Sequence, residues 1–483
     1  MKEQKEIAYQ MDLFMEQKRE AIPYSEGLKD VYGEQAGIGH QINQVGQQGR
    51  ALATNLMGLI CTGENFKRAH KQVKANKGCA GVDQMPVGDF AGWYIKEGEA
   101  LIERLHSGSY LPQAVKRAKI RKPNGGERLL GIPTVTDRII QQAISQVLSP
   151  LYERQFSEHS YGFREGRNAH QALRRASEYV ADGYEIVVDL DLKDFFDEVN
   201  HDRLMNRLRQ SIRDITLLRL IRKYLQSGIL IDGVMSQRTA GTPQGSPLSP
   251  LLSNIVLDEM DKELEKRGHK FVRYADDCNI FVRTRRAGER VEQSISNFIQ
   301  DKLKLKVNAE KSKVCYVNET KFLGYTIQRI GTLTIAEKSL DKLKDKVRET
   351  TRRNRGRSLE QVLAELNSIL RGWLQYFRYA NCYRVLRDID SWIRRKLRCY
   401  RLKQCRRVKT VQAFLKSLGV DSWQSWILAL SGKGWWRKAN CPQVNQAMNN
   451  LWFSKQGLYC LTLNYDLLNN YLKPPCTKVC PVV

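Results

Sequence analysis

Apolar and polar residues follow a strand-like pattern in two short stretches of this chain. Residues 271–282, FVRYADDCNIFV, consist of two runs rich in β-branched and aromatic residues on either side of an acidic tip. An apolar run, a short polar tip and a second apolar run together predict a β-hairpin. Residues 186–197, IVVDLDLKDFFD, open with an alternation that places Asp189 and Asp191 on one face of a strand. Both stretches therefore predict strands that carry carboxylates.

A helical period appears further along the chain. One apolar stripe has the spacing i, i+3, i+4, i+7 and consists of Leu370, Trp373, Leu374 and Phe377. Part of a second stripe consists of Trp392, Ile393, Lys396 and Leu397. This spacing predicts amphipathic helices. We interpret their aromatic residues as the core of a helix bundle rather than as platforms for stacking bases.

The tip of the predicted hairpin holds two adjacent carboxylates, Asp276 and Asp277. Two such groups on a tight turn repel each other, and a divalent cation would neutralise them. Mg²⁺ suits hard oxygen ligands and usually takes only one or two protein carboxylates. A lone pair of this kind is more often a solvated acidic turn. A third carboxylate from the other strand would instead complete a two-metal site, which holds the attacking and leaving oxygens of a phosphoryl displacement.

The chain has a large positive net charge, much of which lies in one segment. The 483 residues carry a formal net charge of +27, with a pI near 9.6, and exceed the length of one compact domain. Residues 341–410 contain 21 Lys and Arg against 7 Asp and Glu, a net charge of 21 − 7 = +14. This excess indicates a polyanionic partner and excludes an acidic chaperone or solvating tail. The basic faces of the predicted helices are then available for phosphates.

Three segments resemble, in order and spacing, successive palm motifs of reverse transcriptases encoded by bacterial group II introns. They are DLKDFFD at residues 191–197, GTPQGSPLSPLLSNI at 241–255 and YADD at 274–277. Five flanking segments resemble other motifs of the same family, and they extend the resemblance over about residues 55–460. They are KGCAGVDQMP at 77–86, IRKPNGGERLLGIP at 120–133, SYGFREGRNA at 160–169, LKVNAEKS at 305–312 and KFLGYT at 321–326.

The resemblance implies an α+β right-hand polymerase, with fingers and an antiparallel palm sheet followed by an all-helical thumb or maturase domain. It divides the chain into a polar extension at 1–50, fingers and palm at 51–335, a thumb at 336–410 and a small basic region at 411–483. The implied activity is RNA-directed DNA synthesis, together with binding of structured intron RNA to assist splicing and mobility. The implied partners are an RNA template, a DNA primer or target and deoxynucleotides.

The same resemblance assigns the catalytic carboxylates. Asp191, Asp276 and Asp277 would bind two Mg²⁺ ions, for which Mn²⁺ could substitute, with help from the backbone near Leu192. Asp189 competes with Asp191 for the third ligand position. Asp191 is preferred because Phe196 then lies five residues on, where the family places the aromatic gate against the ribose 2′-hydroxyl.

Other residues are assigned to the nucleotide and the nucleic acid by the resemblance. Those expected at the incoming nucleotide and templating pocket, besides Phe196, are Lys122, Arg128, Gln244 and Gly245. Those expected at the primer, at its grip or at other nucleic acid are Tyr274, Phe322, Leu323, Gly324, Tyr325, Arg394, Arg395, Lys396 and Lys433. For the segment SGKGWWR around Lys433, a phosphate-contacting loop and a Trp pair that caps the thumb remain equal alternatives.

Two other functions stay open at this point. The chain could be a splicing cofactor with a secondary polymerase role, or a related reverse transcriptase of phage defence or repair without an intron partner. Many relatives continue into an HNH nuclease, which we do not expect here because the last of the seven histidines is His269. The 11 cysteines include no CxxC pair, which favours reduced thiols in the cytoplasm, and no apolar run predicts a membrane span.

Overall fold

A computed structural model describes residues 55–121, 127–231, 234–236, 240–242 and 245–472. The chain divides into two compact units, Met1–Tyr316 and Val317–Val483. The segment 317–335, which the sequence grouped with the fingers and palm, therefore belongs to the second unit. The polar extension predicted at 1–50 lies outside the described residues.

Two four-stranded sheets organise the first unit. Its strands are β1 (Val115–Arg121), β2 (Glu127–Ile132), β3 (Ile186–Leu190), β4 (Ile229–Ile231), β5 (Val234–Ser236), β6 (Lys270–Tyr274), β7 (Asp277–Val282) and β8 (Lys313–Tyr316). One sheet, which we call the palm sheet, has the order β6-β7-β3-β8, and every neighbouring pair in it is antiparallel. The other has the order β2-β1-β4-β5, in which β1 and β4 run parallel.

Helices surround these sheets and supply most of the core. They are α1 (Leu56–Ile60), α2 (Gly63–Ala75), α3 (Phe90–His106), α4 (Val135–Glu153), α5 (Ala169–Ala181), α6 (Phe195–Glu198), α7 (His201–Ser211), α8 (Ile215–Gln226), α9 (Ser249–Lys266) and α10 (Arg285–Phe298). Short 3₁₀ and π segments cover Val87–Asp89 and Ile299–Leu303. Helix α5 begins with a capping box, in which Asn168 and Gln171 each accept the other's backbone N–H.

The hairpin predicted at residues 271–282 is confirmed. Strands β6 and β7 pair in antiparallel register from Lys270 opposite Phe281 to Tyr274 opposite Asp277, which leaves a two-residue turn. The first turn residue, Ala275, has φ +60°, the left-handed conformation that hairpin turns of this length use. The turn thus presents the two adjacent carboxylates at one end of the sheet.

The second unit is mostly helical. After the 3₁₀ segment Val317–Glu319, strands β9 (Tyr325–Ile327) and β10 (Leu333–Ile335) form a small antiparallel hairpin. The helices are α11 (Glu337–Thr350), α12 (Leu359–Phe377), α13 (Tyr383–Gln404), α14 (Val408–Ser417), α15 (Ser422–Leu430), α16 (Trp435–Lys438), α17 (Pro442–Ala447), α18 (Asn450–Lys455) and α19 (Leu461–Leu472). The predicted α+β class with an antiparallel palm sheet and a helical carboxyl-terminal region is confirmed.

The helical stripe predicted from spacing forms core. In α12, Leu370 and Leu374 are fully buried and Phe377 is nearly so, and the ring of Trp373 packs 4.8 Å from that of Phe377. Their indole and phenyl rings are therefore used in packing, as we interpreted them.

The segment after the thumb packs on helix α13 rather than standing apart. The buried carboxylate of Asp390 accepts the backbone N–H groups of Leu461 and Thr462, at 3.0 and 2.9 Å, and so caps the start of α19. Arg398 donates to the carbonyl of Met448 at 2.9 Å. Among the described residues, no helix is long and apolar enough to cross a membrane.

Candidate active site

The strand register brings the predicted carboxylates to one end of the palm sheet. Leu190 of β3 pairs with Cys278 of β7, so Asp191 and Asp277 each occupy the next position at that end. Asp189 lies two residues deeper and pairs with Asn279 on one side and Lys313 on the other. The register therefore favours Asp191 over Asp189 as the third carboxylate at the turn.

Asp191 is held by a loop from a different part of the chain. Its backbone N–H donates to Oγ of Ser312 at 3.0 Å, and its carbonyl accepts the backbone N–H of Asn308 at 2.8 Å. Its Oδ2 accepts from Nδ2 of Asn308 at 3.0 Å and lies 3.1 Å from Nζ of Lys311. The segment LKVNAEKS thus fixes this carboxylate through both its backbone and its side chain.

Negative charge is concentrated around the end of the sheet. Cys278 is fully buried beside the carboxylates, and burial together with the charges of Asp261, Asp189 and Asp277 raises the pKa of its thiol well above the ordinary value. The thiol therefore stays protonated at neutral pH and acts as packing. The carboxylate oxygens of Asp191, Asp276 and Asp277 are the candidate donors to a cation at this end.

The donor set fits Mg²⁺ in kind, because all three side chains offer hard carboxylate oxygens. Within the part of the chain that the structure describes, no three His, Cys, Asp or Glu side chains already converge on a single metal position. The side-chain ammonium group of Lys311 contacts Asp191, so one of the three carboxylates already has a cation beside it. A pair of bound ions would draw further oxygen ligands from substrate phosphates, as Mg²⁺ commonly does.

The residues predicted at the incoming nucleotide are described only in part. The fingers hairpin is present as β1 and β2, and the backbone of Arg128 pairs with Ile120. Lys122 and Gln244 lie outside the described residues. Gly245 is exposed with φ +102°, and a Cβ on it would lie 3.1 Å from the carbonyl oxygen of Gly131 on β2. A bare backbone at Gly245 is therefore needed for this close approach.

Phe196 lies on the short helix α6 directly after β3. Its ring is half-buried and meets Phe195 edge to face at 5.3 Å. Its carbonyl accepts the backbone N–H of Thr242 at 2.6 Å, and a Cβ on Gly241 would lie 2.9 Å from that same oxygen. The motif at residues 191–197 is thus hydrogen-bonded to the motif at residues 241–255 at Phe196, the predicted gate residue.

The predicted primer grip is a tight turn in the second unit. Phe322 and Tyr325 exchange backbone hydrogen bonds at 2.9 Å around Leu323 and Gly324, both of which have positive φ. The side chains of Phe322 and Tyr325 are buried, and burial strongly raises the pKa of the Tyr325 phenol. These two rings therefore build the turn, and its tip, Leu323–Gly324, is half-exposed.

The basic residues assigned to nucleic acid differ in their surroundings. The guanidinium of Arg395 lies 4.0 Å from the centroid of the Trp436 ring and donates to the Trp436 carbonyl. Nζ of Lys396 lies 5.4 Å from the centroid of the same ring, so both cations join α13 to α16. Lys433 is exposed in the loop before α16, whereas Arg394 is half-buried. The ring of Trp436 therefore contacts α13 on one side, while 38% of the residue stays exposed.

Comparison with known proteins identifies the family. Residues 120–327 match the family model of reverse transcriptases (RNA-dependent DNA polymerases), and residues 340–418 match the maturase-specific domain of group II introns. The chain belongs to this family. It is a reverse transcriptase joined to a group II intron maturase domain. The two domains imply nucleic-acid substrates, RNA binding and a general dependence on a divalent metal ion.

The chain is similar to individual curated proteins and to a solved structure. Protein YkfC of Escherichia coli K12 is 31% identical and is matched over 57% of this chain and 83% of its own length. Group II intron-encoded protein LtrA of Lactococcus lactis subsp. cremoris is 29% identical over 61% of this chain and 62% of its own length. A chain of a partial Cas6-RT-Cas1–Cas2 complex is 28% identical over 51% of this chain and 42% of that chain, at a TM-score of 0.34.

Several residues of the site were not singled out from the sequence. Asn308, Lys311 and Ser312 lie in a segment that we matched to a palm motif, without a role for any side chain. Arg273 is fully buried on β6 and pairs with Asp261 of α9. The signal for Arg273 was present, because an arginine inside an otherwise apolar strand needs an acidic partner in the core.

Proposed function

We propose that this reverse transcriptase extends a primer on an RNA template with two Mg²⁺ ions held by Asp191, Asp276 and Asp277. When bound, two such ions lower the pKa of the primer 3′-hydroxyl and stabilise the departing pyrophosphate. The observation that carries this proposal is the register of β3, β6 and β7, which sends all three residues to one end of one sheet. Asp189 is set back by two residues and is the weaker candidate.

The chain's own residues then position the reactants. Lys122 and Arg128 would hold the triphosphate as cations, and Gln244 with Gly245 would line the templating pocket. Phe196 would stand against the 2′ position of the incoming sugar and exclude ribonucleotides. The close approach of Gly245 to the carbonyl oxygen of Gly131 supports this arrangement, because Gly131 lies on β2, one arm of the fingers hairpin.

The second unit would hold nucleic acid through phosphate contacts. We propose that the Leu323–Gly324 turn contacts the primer and that Tyr274, next to the acidic turn, contacts nucleic acid at the palm. The exposed Lys433 and the flank of α13 around Arg394 would contact structured intron RNA or a DNA target. The net charge of +14 over residues 341–410 supports a broad phosphate-binding surface.

We further propose that the natural partner is a group II intron RNA whose splicing and mobility the protein assists, and that the protein acts in the cytoplasm. The maturase-specific domain supports the partner, and the cysteine usage supports the compartment. The test is to purify the protein with the RNA encoded around its reading frame and to measure both splicing and primer extension. Extension without any effect on splicing of a flanking intron would favour the defence or repair alternative.

A further inference from the structure

Among the residues that the structure describes, Arg273 is the largest fully buried side chain, and it lies only two residues before Ala275 of the acidic turn. Its partner Asp261, on helix α9, is also fully buried. Burial of an ion pair removes two charges from water, and an apolar pair of similar volume often stabilises a fold equally well or better. The stability of the fold alone therefore does not explain why this ion pair is buried.

The Arg273 side chain is hydrogen-bonded both to helix α9 and to the turn. Nε donates to Oδ1 of Asp261 at 2.7 Å, which fixes the plane of the guanidinium. Nη1 donates to Oδ1 of Asn254 at 2.9 Å and to the carbonyl of Ala275 at 2.9 Å. Ala275 has φ +60°, a conformation that a non-glycine residue adopts only at a cost. The guanidinium thus holds the strained residue that precedes Asp276 and Asp277.

A second segment, residues 159–162, packs against the same strand and turn. The backbone N–H of Arg273 donates to the carbonyl of His159 at 2.9 Å, and that of Tyr161 donates to the carbonyl of Arg273 at 2.8 Å. Nδ2 of Asn254 donates to the carbonyl of Gly162 at 2.9 Å. A Cβ on Gly162 would lie 2.2 Å from the backbone nitrogen of Ala275, so only glycine fits there.

We propose that Arg273, Asp261, Asn254 and Gly162 are positioning residues that set the geometry of the acidic turn and thereby its affinity for divalent cations. We call these four residues the turn clamp. The inference rests on the proposed function, since it takes Asp276 and Asp277 as the cation ligands. Groups that orient metal ligands typically change metal affinity or activity by about 10–100-fold when they are removed.

The experiment separates positioning from folding. The double variant Arg273→Met with Asp261→Leu removes both buried charges together, so it leaves no unpaired ion in the core, but it also removes the donor to Ala275. We expect the full-length double variant to unfold near the wild-type temperature. Its half-saturating Mg²⁺ concentration in primer extension should rise roughly tenfold, with little change in the KM for deoxynucleotides.

Gly162→Ala tests the other side of the turn clamp while the ion pair stays intact. Its new methyl group must displace the turn at Ala275, so it should raise the Mg²⁺ requirement in the same way. Gly92→Ala is its control, because a Cβ there meets nothing within 4 Å. Arg222→Met is the control for the ion pair, since it breaks a 2.8 Å contact between α8 and Asp202 of α7 that does not involve α9.

The outcomes are distinct. A raised Mg²⁺ requirement in the double variant and in Gly162→Ala, but in neither control, supports the turn clamp. A folded double variant with the wild-type Mg²⁺ dependence overturns it. If the double variant does not fold, Gly162→Ala decides alone by the same readout. Retained extension by both Asp276→Ala and Asp277→Ala would instead remove the proposed metal site itself.

Discussion

Asn308 brackets Asp191 with two hydrogen bonds, one from its backbone N–H to the Asp191 carbonyl at 2.8 Å and one from its side-chain amide to Oδ2 at 3.0 Å. The two residues are 117 positions apart in the chain. The orientation of this carboxylate therefore depends on a loop that contributes no carboxylate of its own to the proposed site. Sequence spacing between acidic residues cannot reveal such support.

We expect Asn308→Ala to lower primer extension by about 10–100-fold, because it removes one of the side-chain contacts that orient Asp191 and leaves the carboxylate to Lys311. The backbone hydrogen bond survives in the variant, so the thermal unfolding temperature should change little. Extension should be measured over a range of Mg²⁺ concentrations. Lys306→Ala in the same loop is a matched control, since it breaks only an exposed ion pair with Glu198. Equal losses in both variants would contradict the bracketing role.

The proposed metal ligands give the most direct test. Asp276→Ala, Asp277→Ala and Asp191→Ala should each abolish extension on an RNA template, because each removes a carboxylate from the cation site. Thermal unfolding of Asp276→Ala and Asp277→Ala should stay near wild type, since removing a carboxylate from a crowded acidic turn relieves repulsion. Asp189→Ala should be milder. If Asp189→Ala lost more primer extension than Asp191→Ala, Asp189 and not Asp191 would be the third ligand.

Removing the aromatic ring of Phe196 should change the choice of nucleotide. Its half-buried ring follows β3 directly, and Thr242 fixes its backbone. With Phe196→Ala the 2′ position of the sugar is no longer obstructed, so ribonucleotide incorporation should rise relative to deoxynucleotide incorporation. The measurement is kcat/KM for the matched pair of nucleotides. If the ratio is the same in variant and wild type, the gate lies on another residue.

The sequence predicted those parts of the fold that depend on local pattern. The two apolar runs on either side of Asp276 and Asp277 form the predicted hairpin, and the helical stripe around Leu370 forms the predicted core helix, because period and turn chemistry are local properties. The pairing of Arg273 with Asp261 joins a strand to a helix, and no local pattern specifies such a partner. The boundary predicted after residue 335 differs from the division after Tyr316 for the same reason, since compactness depends on long-range contacts.

The exposed and packed cations of the second unit were also indistinguishable in sequence. Arg394, Arg395 and Lys396 are consecutive basic residues on one helix, yet Arg395 and Lys396 stack on the ring of Trp436. A cation–π contact of this kind contributes about 0.5–2 kcal/mol. Replacing the three together would therefore weaken RNA binding and the packing between α13 and α16 at the same time.

The double variant Arg394→Ala with Lys433→Ala tests whether the maturase and polymerase roles are separable, without changing the two cations that stack on Trp436. Lys433 is exposed and Arg394 is half-buried, so the double variant should fold like wild type. Removal of one phosphate-binding cation should flatten the dependence of log affinity on log salt concentration by roughly one unit. We expect weaker binding to the host intron and reduced splicing, with extension of a short primer–template at low salt largely kept.

The reciprocal variant completes this test. Asp276→Ala should keep intron binding and splicing while it loses extension, because holding folded RNA depends on phosphate contacts and shape rather than on the polymerase metals. Arg395→Ala serves as the packing control and should lower the unfolding temperature, because it removes the cation that stacks on Trp436. If folded Asp276→Ala also lost splicing, or if the Arg394 and Lys433 double variant bound the intron like wild type, the two roles would not be separable in this way. The interpretation of the chain as a reverse transcriptase without an intron partner would then gain support.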